Sequence, residues 1–311
     1  MAEAERLPHT WGWATTKALI SSIRPRQWTK NLIIYFAFFF TVDQAWSLDE
    51  PGEAGRLLAQ TTVAFALFCL ITGAVYLLND VLDAERDRHH PRKRHRPIAA
   101  GLLSASVALS MALVMATGGI GLAFVLDPYF GLVAVVYLGT MLAYNLYLKR
   151  VIIVDVLAIS AGFVLRAAAG AVVLDVTISP WLYVCTSLGA LFLGFAKRLN
   201  ELVLAGDGGS LQRESLEEYT PRFLEQLIAI VAPATLVSYI LYTFTAENLP
   251  DNDAMMLTIP FVMYGLFRYM YLVHHKNLGE SPEEILLTDM PLIVDIALWL
   301  VTASAVLLAY R

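Results

Sequence analysis

Charge is scarce in this chain. Asp, Glu, Lys and Arg make up 16% of 311 residues, while 58% are hydrophobic and the mean hydropathy is +0.60. Soluble domains carry roughly 25% charged residues, so this composition excludes an ordinary water-facing fold. Cysteine is nearly absent. Cys69 and Cys185 both lie inside apolar runs, and two lone thiols make neither a zinc pattern nor a disulfide framework. His89, His90, His95, His274 and His275 sit near basic loops, without metal-ligand spacing on a helix. No glycine-rich nucleotide loop and no Ser-His-Asp arrangement is visible. The N-terminus, MAEAERLPHTWGW, lacks a basic region followed by an apolar core, so no cleaved signal peptide is expected. The net charge of −5 does not suggest a nucleic-acid partner.

What is present is a series of long apolar runs. A membrane-spanning helix needs about 20 mostly apolar residues, and the runs predict nine spans: 30–46, 57–78, 102–126, 129–148, 151–174, 180–200, 222–245, 255–274 and 291–310. The predicted fold is therefore all-α, a polytopic membrane bundle forming one domain over 25–311. It is preceded by a lead, residues 1–24, whose stretch Trp11 to Ile23 reads as a helix lying in the membrane surface. Placing the N-terminus in the cytoplasm puts Arg6, Lys17, Arg24, Arg26, Lys30, the six Lys and Arg of 86–96, Lys149, Arg150, Lys197, Arg198, Arg213, Arg222 and Lys276 on that side. Only Arg56 and Arg311 fall outside, and Arg166 and Arg268 lie within spans. This asymmetry obeys the positive-inside rule and predicts a multi-pass protein of the cell inner membrane. The long connections, about 79–101, 201–221 and 275–290, share the cytoplasmic side, so chemistry is expected there. The last contains Ser281-Pro282-Glu283-Glu284, a helix start with Ser as cap. Small residues such as AAAGAVV in span five permit close helix packing, within one chain or between copies as a homo-oligomer.

The densest polar stretch is YLLNDVLDAERDRHHPRKRHRPIAAG, residues 76–101. Read as a helix, Asn79, Asp80, Asp83 and Asp87 recur at intervals that place them on one face. Crowded carboxylates repel, and a hard divalent cation such as Mg2+ relieves the conflict. The cationic loop that follows suits a diphosphate. The same residues also fit a solvated helix end beside a topology-setting basic loop. Elsewhere, Asp155 and Arg166 are ionisable groups inside a span, where such groups face a cavity or a partner. Lys197, Arg198 and Glu201 form KRLNE at a span end, where Lys197 and Glu201 can pair locally or Lys197 can hold a phosphate. Lys149 and Arg150 close the aromatic run YNLYLKR, as interface anchors or as ligands.

These motifs, in this order, resemble the UbiA-type membrane prenyltransferase superfamily: NDVLDAERD has the form NDxxDxxxD. The chain departs from the aromatic prenyltransferases, because the second motif, DxxxD, is missing and KRLNEL stands in that loop. It is more similar to the branch of decaprenyl-phosphate phosphoribosyltransferases, on the segments IRPRQWTKN, YNLYLKRVIIVDVLAISAGFVLRA, KRLNEL and SPEEILLTD. The resemblance implies transfer of 5-phosphoribosyl from phosphoribosyl pyrophosphate (PRPP) to polyprenyl phosphate, with Mg2+ as cofactor, supplying cell-wall arabinan. It implies that Asn79, Asp80, Asp83 and Asp87 hold the metal-diphosphate, with the three aspartates catalytic. It further implies that Lys30, Asn31, Lys93, Arg96, Tyr144, Lys149, Asp155, Arg166, Lys197, Arg198 and Glu201 contact substrate. Two other functions remain open at this level: prenyl transfer to an aromatic acceptor, and a non-catalytic lipid-phosphate carrier.

Overall fold

The structure is a computed structural model that describes residues 12–89, 93–177, 180–205, 214–247, 249–250, 252–276 and 282–310. The lead 1–11, His90, Arg92, the loop 206–213 with Arg213, Ser281 and Arg311 lie outside the described residues. A surface helix, α1 (Trp13–Ser22), is followed by a 3-10 segment, Pro25–Ile34, and a six-residue helix, α2 (Tyr35–Phe40). Next come α3 (Pro51–Leu82), α4 (Ala84–Arg88), α5 (Ala105–Leu126), α6 (Pro128–Leu146), α7 (Val154–Val173) and α8 (Pro180–Ala205). The chain ends with α9 (Glu214–Glu218), α10 (Pro221–Thr245), α11 (Ile259–Lys276), α12 (Pro282–Thr288) and α13 (Met290–Ala309).

Eight of the nine expected spans coincide with α3, α5, α6, α7, α8, α10, α11 and α13. Among the described residues seven helices are long and apolar enough to cross a membrane; α8, the remaining long helix, carries Lys197, Arg198 and Glu201 near its end. The expected first span, 30–46, is not a single α-helix. The 3-10 segment occupies its beginning and Thr41 ends α2. The segment is held by distant partners: Asn31 is buried and tied to α3 and α7, so the chain follows those partners rather than an even helical register.

Helix starts follow the capping rules. Ser104, Asp127, Thr220 and Asp289 accept hydrogen bonds from backbone N–H groups at the starts of α5, α6, α10 and α13. Pro occupies an early position in α3, α6, α10 and α13, where no N–H is needed. Helices α3 and α7 form the centre, with more than half of their apolar stretches buried, whereas α5 is mostly exposed. Helix α5 instead presents Leu109, Leu113, Leu122 and Val125 outward, as expected for a helix facing lipid.

The 3-10 segment is packed tightly against α7. A Cβ at Gly170 would collide with the Ile34 carbonyl, which is backbone and cannot yield. Gly170→Ala is expected to destabilise the bundle by about 1–3 kcal/mol, read as a lower Tm in detergent. An unchanged Tm would show that this contact is dispensable.

Candidate active site

Three aspartates crowd the end of α3 because that helix stops there. Asp80 is on the last turn, Asp83 stands between α3 and α4, and Asp87 is in α4. Asp80 and Asp87 are buried, at 2% and 4% exposure, and Asp83 is partly exposed. Each is held by a cation. Asp80 pairs with Arg24 and lies 3.3 Å from Nη1 of Arg96. The same Arg96 nitrogen is 2.6 Å from Asp87, and Nζ of Lys149 is 2.8 Å from Asp83.

The three acids therefore do not share one cation, although backbone hydrogen bonds from Asp83 N–H to the Asn79 carbonyl and from Asp87 N–H to the Asp83 carbonyl carry the helical spacing across the junction. The helix is interrupted at Asp83, whose backbone (φ −96°, ψ 0°) leaves the helical region. Asp80 and Asp87 converge on one guanidinium, while Asp83 turns to Lys149. Among the described residues no three acidic, histidine or cysteine side chains gather around a common point. The donor chemistry nonetheless suits a hard cation: two buried carboxylates approach the same positively charged nitrogen, with the Asn79 amide one residue away.

Arg24 is a participant that sequence reasoning left out of the site. It takes a left-handed backbone (φ 53°) at the start of the 3-10 segment, and its guanidinium lies 5.0 Å from the centre of the Tyr76 ring. Its position in a basic stretch before Pro25 was the available signal. Lys30 and Lys93 are half-buried, the first in the same 3-10 segment and the second in the short turn Lys93–His95 before Arg96.

A second polar cluster surrounds Asp155, which has no exposed surface. Its Oδ2 accepts from Nε of Arg198 at 2.7 Å, and its Oδ1 accepts from the Tyr219 hydroxyl at 2.9 Å. Arg198 also reaches Glu201 at 2.7 Å and the Tyr144 hydroxyl at 3.4 Å. The guanidinium expected to bind a phosphate is thus engaged by protein groups on three sides. Lys197, one residue earlier in α8, is half-buried. Burial and the adjacent Asp155 carboxylate push the Tyr219 phenol well above its usual range, so it stays a hydrogen-bond donor at neutral pH.

Asp155 and Arg166 share a helix but not neighbours. Arg166 is also buried, donating to the Asn31 side chain at 2.6 Å, the Gly162 carbonyl at 2.9 Å and the Tyr137 hydroxyl at 2.7 Å. Its guanidinium also lies 4.7 Å from the Tyr137 ring centre. Asn31 in turn donates to Cys69 and Thr72 on α3. Arg268, the other arginine predicted within a span, forms a two-point pair with Asp289, the cap of α13.

Backbone strain marks the junction between these clusters. Ile153 has φ 67° and ψ −47°, and Val154 N–H bonds the Ile152 carbonyl at 2.7 Å. This is the rare, strained hand of the γ-turn. For a β-branched residue it costs on the order of 1–3 kcal/mol and persists only where surrounding contacts enforce it.

A cavity of about 1160 Å3 lies elsewhere. Phe36, Phe40, Leu193, Tyr242 and Trp299 form apolar walls, and Glu53, Arg56, Asp175 and Glu247 a polar rim. Those rim residues belong to helix ends opposite the aspartates, since α3 starts at Pro51 and reaches Asp80 one bundle-length later. A second cavity of about 280 Å3 shares Gly189, Leu193 and Trp299 with the first, so the two adjoin along α8 and α13.

Comparison with known proteins places this geometry. Residues 32–288 match the UbiA prenyltransferase family. The chain belongs to that family. It is similar to the decaprenyl-phosphate phosphoribosyltransferase of Mycolicibacterium smegmatis, at 36% identity over 298 residues, covering 92% of this chain and 91% of the relative. A protein of the same name from Mycobacterium tuberculosis is 35% identical, covering 92% and 93%. The UbiA homolog from Archaeoglobus fulgidus bound to GPP and Mg2+ shares the fold, with a TM-score of 0.70 at 17% identity, over 93% of this chain and 99% of that one. As a UbiA-family chain this protein is a membrane-embedded transferase, all-helical, with its acidic segment on α3 and α4.

Proposed function

We propose that this UbiA-family protein transfers 5-phosphoribosyl from PRPP to polyprenyl phosphate, a decaprenyl chain in the named relatives. The bond from ribose C1 to pyrophosphate breaks, and a bond from C1 to an oxygen of the lipid phosphate forms. Attack from the opposite face converts the α-donor to a β-linked polyprenylphosphoryl-5-phosphoribose, a precursor for cell-wall arabinan. What carries this reading is a buried acidic pair ringed by cations, in a chain 35–36% identical over most of its length to transferases of that name.

The residues divide the work by charge. Asp80 and Asp87, with Asn79 and Asp83 beside them, would hold Mg2+, which supplies neutralisation of the pyrophosphate as it departs. Arg24, Arg96 and Lys149 pair with the aspartates here and are placed to turn toward donor phosphates. Lys30, Lys93 and Lys197 supply further cationic charge for the donor's 5-phosphate and the lipid phosphate. No strong general base is needed, because a phosphate monoester with a second pKa of about 6 is already ionised at neutral pH. The adjoining cavities along α8 and α13 offer an apolar path for the polyprenyl tail. In this reading the aspartate end faces the cytoplasm, where PRPP is made, and the protein resides in the inner membrane.

The test uses purified protein, ribose-labelled PRPP and polyprenyl phosphate, with and without Mg2+. Label is expected to enter the lipid, and pyrophosphate to appear, only with the metal. Lipid labelling without pyrophosphate, or prenyl transfer to an aromatic acceptor instead, would reject the proposal. Lys197→Ala is expected to raise the donor concentration needed for half-maximal rate; an unchanged donor dependence would remove Lys197 from the phosphate ligands.

A further inference from the structure

The connector after α8 returns a short helix, α9, and Tyr219 to the α6–α7 junction. Ser215 and Tyr219 are both buried there, at 0% and 3% exposure. The Ser215 hydroxyl donates to the Lys149 carbonyl at 3.0 Å. The Tyr219 hydroxyl accepts from Ile153 N–H at 2.7 Å and donates to Asp155 at 2.9 Å. The first bond holds the turn that contains Lys149 directly, and the second holds the strained Ile153 between that turn and α7.

We propose that Tyr219 and Ser215 are positioning residues that fix Lys149 for the donor phosphates. The proposal rests on the reading of Lys149 as a donor-site cation. Lys149 sits in the three-residue turn Leu148–Arg150, and its ammonium reaches Asp83 across the junction. Relaxing Ile153 to a negative φ rotates the backbone between Lys149 and α7, which carries the ammonium away from Asp83. The Ile153 carbonyl is held by the first N–H groups of α7 and its N–H by the phenol oxygen, which thereby helps to fix the strained conformation. Asp155 anchors that oxygen from the far side, and Arg198 anchors Asp155. The connector is thereby coupled to the aspartate site by hydrogen bonds, without touching substrate itself.

Tyr219→Phe isolates the hydroxyl. It retains the ring, which stacks on Phe223 with centroids 6.3 Å apart, and removes both bonds. The experiment measures equilibrium binding of labelled PRPP with Mg2+, and transfer kinetics, for the full-length protein in nanodiscs. Tyr219→Phe and Ser215→Ala are each expected to raise the donor KM about tenfold, with the acceptor KM and the folded fraction unchanged. In a Lys149→Ala background neither substitution should add to the effect, because both act through that side chain. Should Lys149→Ala raise the donor KM while Tyr219→Phe and Ser215→Ala do not, the positioning role is overturned and the donor-site reading stands. Effects that multiply in the double variants overturn it as well, since they mark an independent structural role. A donor KM untouched by Lys149→Ala would remove Lys149 from the donor site, and this proposal with it. If Tyr219→Phe fails to fold, Ser215→Ala alone decides.

Discussion

Replacing Asp80 by Asn is expected to lower transfer by about 10²–10³-fold while the protein still inserts and folds. The magnitude is that of removing one fixed charge from a water-excluded site where charge develops during reaction. Asn keeps the volume of Asp and removes its negative charge, so Arg24 and Arg96 lose the partner they share. Both arginines retain about a quarter of their surface exposed, and Arg96 keeps Asp87. The fold can therefore tolerate the loss, whereas a metal-diphosphate cannot be held equally well. Asp83→Asn, at a more exposed carboxylate, is expected to reduce turnover by a similar order with even less effect on Tm. The measurement is initial rate in liposomes with Mg2+ alongside a thermal melt. Near-normal rates in both variants would remove these aspartates from the reaction.

Arg198→Ala acts on the fold first. Arg198 and Asp155 are almost fully buried, and truncating one leaves the other as an uncompensated charge. Breaking such a pair costs about 3–5 kcal/mol, a large part of the stability of an ordinary domain. Loss of folded protein in detergent is expected, with Arg198→Lys intermediate because a single ammonium cannot reach Asp155, Glu201 and Tyr144 together. The combination of Arg198→Ala with Asp155→Ala should cost less than the sum of the two, since Asp155 is no longer left stranded, although Glu201 still loses its partner. A fully stable Arg198→Ala protein with weakened PRPP binding would instead return this side chain to the phosphate ligands.

The bundle was legible in the chain because the membrane imposes a length: an apolar run of about 20 residues has few alternatives to a helix. That rule located α3, α5, α6, α7, α8, α10, α11 and α13. It misjudged 30–46, where Asn31 is drawn to Thr72, Cys69 and Arg166 and the helix gives way to a 3-10 segment. The acidic stretch was legible as a site from its periodicity, yet periodicity assumes an unbroken helix. At Asp83 the helix breaks for one residue, and its carboxylate takes Lys149 while Asp80 and Asp87 take Arg96. Arg24 was passed over because its partner lies 56 positions away. Tyr219 was passed over for the same reason, being 64 positions from Asp155.

Sequence alone determined that the chain is a multi-pass membrane protein and where eight of its long helices run. Each of these follows from local spacing and from the cost of placing charge in hydrocarbon. Only the tertiary structure decided which cation meets which acid. Asp155 chose Arg198 over the Arg166 of its own helix, and Asp83 chose Lys149. Such choices depend on helix packing, because in a buried environment each charge must take the partner that the backbone brings within reach.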